Sequence, residues 1–206
     1  MKHFLLPLII TFLLLNCASK KETKITNYDK HIYTSTISDS TRNQLYLALN
    51  KYSKVKATDN VRSQLNLVLK QYSNKNKKDT LFITYRYNNG NCWKLLDQKS
   101  NEHINKIVTN NYERIINFSN QYPDRTYLMF KQQGTRHNKL VNYNKYVIED
   151  TDNSIFKLLF EDKKTCGNSI ILLPDNRFIF LKSDPHLDIL NFDKNKIVKI
   201  LNSANN

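Results

Sequence analysis

The segment Thr80–Cys92, TLFITYRYNNGNC, constrains the fold more than any other part of this sequence. Residues 80–87 are rich in β-branched and aromatic side chains, which are typical of a buried strand. The Asn-Gly pair at 89–90 then predicts a turn. Two interpretations of the next residues stay open: a hairpin whose return strand covers 91–95, or a loop followed by a helix that begins near Cys92. In both, strands and helices are arranged around one buried strand.

The rest of the chain alternates between helical and extended patterns. Three stretches share an apolar repeat of helical period: 101–122, 152–160 and 187–201. Four stretches are rich in β-formers: 126–130, 146–149, 170–173 and 177–182. The last two flank Pro174-Asp175-Asn176, which has the residues of a tight turn, and the polar stretch 132–142 predicts irregular structure. This order predicts an α/β sandwich with a central mixed sheet.

A short duplication precedes this region. Residues 42–53 read RNQLYLALNKYS and residues 62–73 read RSQLNLVLKQYS, with Arg, Gln, three Leu, Tyr and Ser recurring in place. Each copy carries one apolar stripe at helical spacing, so the two copies predict a pair of short helices packed on the following domain. Two copies are too few for a repeat protein, which needs about three or more units.

The amino terminus has the pattern of an export signal. Lys2 is followed by the apolar run Phe4–Leu15 and then by Cys17. The run is too short for a membrane span of ~20 residues but suits a signal-peptide core. With Leu14 three residues before the cysteine, it resembles a bacterial lipoprotein signal, although Asn16 departs from the usual Gly, Ala or Ser. An ordinary signal peptide or an uncleaved anchor with a chance cysteine is the alternative.

The lipoprotein resemblance implies a specific location and anchor. Residues 1–16 are then the signal peptide and Cys17 is the lipidation site, whose acyl chains insert in the membrane. The absence of acidic residues just after Cys17 favours the outer membrane, facing the periplasm. Residues 17–39 are polar and aperiodic and are expected to form a flexible tether.

Composition excludes some classes of function. The formal net charge of +14 comes mostly from scattered lysines rather than from a clustered basic patch. We therefore expect a solvated lysine surface and no nucleic-acid partner. With three glycines in the chain, a glycine-rich phosphate or dinucleotide loop is not expected, and no cofactor is predicted.

From about Asp79 to Leu201 the chain resembles thioredoxin-like domains, nearest to membrane-tethered thiol-disulfide proteins and peroxiredoxin relatives. The family's C-x-x-C turn matches Asn89–Cys92, its strand and aspartate turn match 146–153, and its hairpin matches 170–180. The resemblance implies a thioredoxin-like domain over 79–206, which follows the helical pair predicted from the duplication over 40–78. It is degenerate: the attacking cysteine falls on Asn89, only the resolving position is kept as Cys92, and the cis-proline falls on 167–169.

The same resemblance implies that Cys92 and Cys166 are neighbours, because the two loops that hold them lie side by side in this fold. They are the two cysteines left once Cys17 is acylated, in a compartment where disulfides persist. Our hypothesis is that they form a disulfide, structural or redox-active, and we take both residues as candidate catalytic residues. The alternative is two unrelated buried cysteines that act as small apolar side chains.

Other polar residues carry weaker indications. None of the five histidines has zinc-ligand spacing, so no metal site is predicted. The carboxylates Glu149, Asp150 and Asp152 are interpreted as turn and cap residues rather than as an acid–base pair.

Three functions remain open, and with them whether the protein is an enzyme. They are envelope thiol redox chemistry, non-catalytic binding of a protein partner or toxin, and a structural role beside anionic head groups. An exposed Cys92 at a helix start favours redox chemistry, and a buried Cys92 on a hairpin strand favours the other two.

Overall fold

The computed structural model describes residues 32–52, 62–63, 65–66, 80–89, 92, 94–161, 166–182 and 187–203. Its centre is one six-stranded mixed sheet. The strands are β1 (Ile32–Thr36), β2 (Thr80–Arg86), β3 (Arg125–Gln132), β4 (Ile148–Asp150), β5 (Gly167–Leu172) and β6 (Arg177–Lys182). Their order across the sheet is β1-β6-β5-β2-β3-β4.

Strand β2 is the centre of this sheet, as the sequence predicts. It runs parallel to β3, which in turn runs parallel to β4, and antiparallel to β5. Residues 81–85 are all buried. Helices cover both faces, and this explains the nearly continuous apolar run in the sequence of β2.

The helices lie in two layers. They are α1 (Asp39–Tyr52), α2 (Lys94–Asp97), α3 (Asn101–Gln121), α4 (Lys139–Tyr143), α5 (Ser154–Leu159), a 3₁₀ turn (Asp188–Asn191) and α6 (Lys194–Ser203). Helices α1 and α5 contribute to the core on one face of the sheet. Helices α3 and α6, with the 3₁₀ turn, form the core on the other face. The predicted α/β class with a mixed central sheet is confirmed.

Helix α3 is the crossover between the parallel strands β2 and β3. It begins after Ser100, whose hydroxyl accepts a hydrogen bond from the His103 amide. Its buried stripe includes Ile104, Val108 and Ile115. It ends just before Pro123, in agreement with the sequence.

The first described segment, residues 32–52, packs with the main sheet. Helix α1 packs into the core through Leu45, Leu49 and Tyr52, so the predicted packing of the first repeat is confirmed. In the second repeat, residues 62–63 and 65–66 are helical, and Leu65 lies in the same core. The predicted tether over 17–39 is wrong in its last part, because residues 32–36 form strand β1 and pair antiparallel with β6. Residues 1–31, which include the predicted signal, lie outside the described residues.

The structure decides one open alternative, and two other predictions need correction. Cys92 lies in a turn before helix α2, so the helical interpretation is correct and the hairpin interpretation is wrong. The stretch 132–142 is not wholly irregular, since helix α4 begins within it at Lys139. The predicted single helix over 187–201 divides into the 3₁₀ turn and α6, after Leu187 adopts a left-handed backbone conformation with φ of 59°.

Candidate functional site

A disulfide joins Cys92 to Cys166, with their Cα atoms 5.5 Å apart. Cys92 lies shortly beyond the carboxyl end of β2, and Cys166 directly precedes β5. Since these strands are antiparallel neighbours, with Arg86 opposite Gly167, the end of one lies beside the start of the other. The predicted pairing is therefore confirmed.

The two cysteines differ in exposure. The Cys92 residue is 4% exposed, and its amide donates to the carbonyl of Asn89 across the turn, at 3.2 Å. Cys166 is half-buried, and its carbonyl accepts from the Tyr87 amide at 3.3 Å. The site therefore combines the helix-start position that favours redox chemistry with the burial that favours a structural role.

The disulfide borders a small cleft that opens to solvent and whose interior, about 20 Å³, has room for a single water-sized group. Both sulfur-bearing residues line the cleft, together with side chains from β2 and from the region of α4. The lining residues are Arg86, Tyr87, Asn89, Cys92, His137, Asn138, Leu140, Val141 and Cys166.

Asn138 ties the start of helix α4 to the cysteine turn. Its Oδ1 accepts from the Val141 amide at 3.0 Å, which caps the helix. Its Nδ2 donates to the Cys92 carbonyl at 3.0 Å. The Lys139 amide adds a bond to Asp97 Oδ1 at 2.6 Å, so α2 and α4 are joined along one side of the cleft.

His137 is the titratable ring on this side of the cleft. It is 7% exposed, and burial lowers its pKa below the ordinary value. Its Nε2 lies 2.6 Å from the Gln132 carbonyl oxygen. A neutral ring that donates from Nε2 satisfies this carbonyl, so we assign that tautomer.

Arg86 lies against the residue that follows Cys166. A Cβ on Gly167 would stand 2.8 Å from Arg86 Nη1 and 2.9 Å from the Tyr85 carbonyl oxygen. The guanidinium can therefore approach this backbone because position 167 has no side chain.

A second polar cluster, the Asp150 cluster, lies at the same edge of the sheet. The Asp150 side chain accepts from Tyr52 Oη at 2.5 Å and from Tyr85 Oη at 2.8 Å. It also accepts from the amides of Ile155 (3.3 Å) and Phe156 (2.9 Å) in the first turn of α5. The predicted cap role of Asp150 is correct, and the carboxylate in addition joins α1 and β2 to α5.

This cluster is closed to solvent. Asp150 is 0% exposed. Burial, reinforced by the Asp150 carboxylate, raises the pKa of the Tyr52 and Tyr85 phenols. Both phenols are therefore neutral hydrogen-bond donors at physiological pH.

Other predicted site residues are distributed more widely. The predicted turn or cap role of Glu149 is wrong, because this residue lies within strand β4, beside Lys131 of β3, and pairs with it at 3.3 Å. Asp152 Oδ1 accepts from the Ser154 amide at 3.0 Å, a contact within the turn, whereas Asn153 holds the N-cap position of α5 without a side-chain hydrogen bond. Cys17 lies outside the described residues. Within the described part of the chain, no group of three or more His, Cys, Asp or Glu side chains is placed to hold a metal ion.

The sequence indicated Cys92 and Cys166 but not the residues around them. Arg86 and Asn138 carry no motif, and His137 is one of five histidines without metal-ligand spacing. The available signal for Arg86 was its place near the end of the β-rich run 80–87, which leads to Cys92.

Comparisons with protein-family models, with curated proteins and with solved structures gave no match to this chain. Among the helices that the structure describes, none is long and apolar enough to cross a membrane.

Proposed function

We propose that this chain is a lipid-anchored protein of the bacterial cell envelope whose thioredoxin-like domain exchanges its disulfide with external thiols. The observation that carries this proposal is the bond between Cys92 and Cys166 beside an open cleft. Thiol–disulfide exchange requires a disulfide sulfur that an external thiolate can reach. The half-buried Cys166 meets this requirement better than Cys92.

The position of the disulfide supports the thioredoxin-like assignment. The resemblance implies a cysteine turn after a buried strand, next to the loop that precedes a strand hairpin. Here Cys92 follows β2, and Cys166 precedes the antiparallel pair β5–β6. The absence of a cysteine at Asn89 makes the domain degenerate, so exchange would use a disulfide between two loops rather than one within a single turn.

The disulfide also supports an envelope location. Protein disulfides persist in oxidising compartments such as the periplasm and are rare in the cytosol. An export signal that ends at Cys17 would deliver the chain to such a compartment and anchor it there through acyl chains. The proposed orientation is outer membrane, with the folded domain in the periplasm.

Equilibration with glutathione tests the exchange. Mature protein that carries Cys17→Ser is incubated without denaturant in buffers of graded reduced-to-oxidised glutathione ratio, quenched in acid and alkylated. We expect mass spectrometry to show reversible conversion between zero and two free thiols as the ratio changes. A protein that stays fully oxidised until denaturant is added would exclude exchange by the native fold.

Metabolic labelling tests the anchor. Cells that express the full chain are grown with an alkyne analogue of palmitate, and labelled protein is detected in membrane fractions. We expect labelling of the natural sequence, loss of labelling in Cys17→Ser, and full labelling in the matched control Cys92→Ser. Equal labelling of all three proteins would contradict acylation at Cys17.

A non-catalytic envelope protein that binds a protein partner is the alternative. The observation that favours it is the 4% exposure of Cys92 together with the hydrogen bond from Asn138 to its carbonyl. A disulfide held in this way would fix the cleft edge as a rigid surface. The glutathione experiment separates the two functions, since the alternative expects no exchange in the native protein.

A further inference from the structure

We propose that Cys166 is the cysteine that forms the mixed disulfide with the external thiol and that Arg86 stabilises its thiolate. This inference rests on the proposed exchange function and specifies how that exchange proceeds. It reassigns the attacking role, because the family's pattern places that role in the turn at Asn89, where this chain has no sulfur.

Access distinguishes the two sulfur-bearing residues. Cys92 is 4% exposed. Its amide donates a hydrogen bond to the Asn89 carbonyl, and its carbonyl accepts one from Asn138 Nδ2. Cys166 is half-buried and borders the cleft. An incoming thiolate must approach the sulfur that it attacks, so the reachable residue is the one that enters the mixed disulfide.

A positive charge also lies against the backbone next to Cys166. Arg86 lines the cleft. Its Nη1 lies 2.8 Å from the position that a Cβ on Gly167 would take, and Gly167 directly follows Cys166. A neighbouring guanidinium favours the ionised form of a thiol and so favours Cys166 as nucleophile and as leaving group. The other titratable residues that line the cleft are Tyr87 and His137. The Tyr87 hydroxyl is buried, where it donates to the Phe160 carbonyl and accepts from Asn168.

The exchange then has two balanced steps. In the first, the thiolate of a low-molecular-weight thiol attacks Cys166 Sγ, the bond to Cys92 Sγ breaks, and the Cys92 thiolate takes a proton from solvent. In the second, another thiolate attacks the external sulfur of the mixed disulfide and releases Cys166 as a thiolate. The protein disulfide gains two electrons, and the two external thiols become one disulfide. Arg86 is a positioning residue in this scheme and touches no reacting bond.

Trapping the mixed disulfide tests the first assignment. Protein with Cys17→Ser and both remaining cysteines is mixed with limiting glutathione, quenched in acid and digested, and the glutathionylated peptide is identified by mass spectrometry. We expect glutathione on Cys166. Glutathione mainly on Cys92 would overturn the inference while leaving the exchange function intact. No adduct together with no exchange at equilibrium would overturn both.

Alkylation rates test the role of Arg86. In a Cys17→Ser, Cys92→Ser background, the rate of iodoacetamide reaction at Cys166 is measured from pH 5 to pH 10. We expect Arg86→Gln to slow the reaction about tenfold at neutral pH and to move the pH midpoint upwards. Arg136→Gln removes the same charge from an exposed residue that does not line the cleft, and we expect it to leave the profile unchanged.

Two readouts keep this test independent of folding. Near-UV circular dichroism verifies that each variant is folded. If the Cys92→Ser background does not fold, the Arg86→Gln comparison is made on reduced two-cysteine protein, with the rate at each cysteine taken from its peptide. Identical midpoints in Arg86→Gln and its parent, or a Cys92 that reacts as fast as Cys166, would overturn the assignment.

Discussion

The disulfide cleft and the Asp150 cluster lie at the same edge of one sheet, but they differ in burial and in the kind of bond that holds them. The Asp150 carboxylate is fully buried and receives four hydrogen bonds from two phenols and two backbone amides. The Cys92–Cys166 disulfide is covalent and borders a cleft open to solvent. One region is closed and joins elements through polar contacts, whereas the other is accessible.

The contrast shows why paired acidic residues in a sequence do not by themselves indicate an acid–base site. Asp150 has strong hydrogen-bond donors and lies near a second carboxylate, Asp152, yet it has no exposed surface through which a substrate could reach it. A buried carboxylate is tolerated when its oxygens are hydrogen-bonded, and its removal is destabilising because it leaves buried donors unsatisfied. We therefore expect the Asp150 cluster to govern stability and the cleft to govern chemistry.

The largest expected effect is on stability, from Asp150→Ala. The substitution leaves the buried Tyr85 phenol and two amides of α5 without their acceptor, whereas Tyr52 retains Asp152 as an acceptor at 2.8 Å. We expect it to lower the unfolding free energy by about 3–5 kcal/mol. Urea denaturation measures this loss. Glu149→Ala, beside it and paired with Lys131 near the surface, is the matched control and should cost less than about 1 kcal/mol. Similar losses in both variants would remove the distinction between the two carboxylates.

Removal of the disulfide should have the second-largest effect. The bond closes a loop with a sequence separation of 74, and loss of such a constraint typically costs about 2–4 kcal/mol. We expect the Cys92→Ser, Cys166→Ser double variant to show this loss against its Cys17→Ser parent in urea denaturation. The parent with added reductant should approach the double variant. A loss larger than that of Asp150→Ala would reverse the ranking of the two regions.

Single phenol deletions should have a smaller effect. Tyr52→Phe and Tyr85→Phe each remove one donor to the buried carboxylate, and hydrogen bonds to charged groups contribute about 1.5–3 kcal/mol. We expect a loss of about 2 kcal/mol for each variant by urea denaturation. Tyr143→Phe, on a side chain of a residue that is 40% exposed, is the control and should be close to neutral. An unchanged unfolding free energy in both Tyr52→Phe and Tyr85→Phe would show that the two α5 amides alone satisfy the Asp150 carboxylate.

Local sequence patterns predicted the centre of this fold well. The β-rich run at 80–87 became β2, the apolar period over 101–122 became α3, and the turn residues at 174–176 joined β5 to β6. Each of these depends on neighbours in sequence: strand and helix periodicity, a proline after a helix, and turn chemistry. The cysteine pairing depended in addition on the family resemblance, which placed the two loops side by side.

What the sequence did not predict depends on distant partners. Strand β1 is short and polar, and it is a strand because it pairs with β6 at the far end of the chain. Helix α4 has five residues in a polar stretch and is supported by the Asn138 cap and by bonds to the α2 region. The partner of Asp150 in α1 is 98 residues away. No local pattern encodes such contacts, because tertiary context overrides weak propensity.

The smallest expected effect is a pH dependence that belongs to the cleft. Burial lowers the pKa of His137 in the folded protein, whereas the unfolded chain titrates near ~6.5. Below that pH the unfolded chain binds a proton that the folded chain resists, so the unfolding free energy should fall as the pH is lowered from 7.5 to 5. The contribution of His137 to stability is thus fully present above pH ~6.5 and is lost as the pH falls.

His137→Gln should make that decline shallower, and urea denaturation at several pH values measures it. His103→Gln, at an exposed position on α3, is the matched control and should retain the decline of the natural protein. The window from pH 7.5 to 5 lies above the range in which Asp152 titrates, since hydrogen bonds from Ser154 hold its pKa below the usual value. Equal slopes in His137→Gln and His103→Gln would contradict a neutral buried ring. The pH dependence of the cleft would then have to arise from groups other than this histidine.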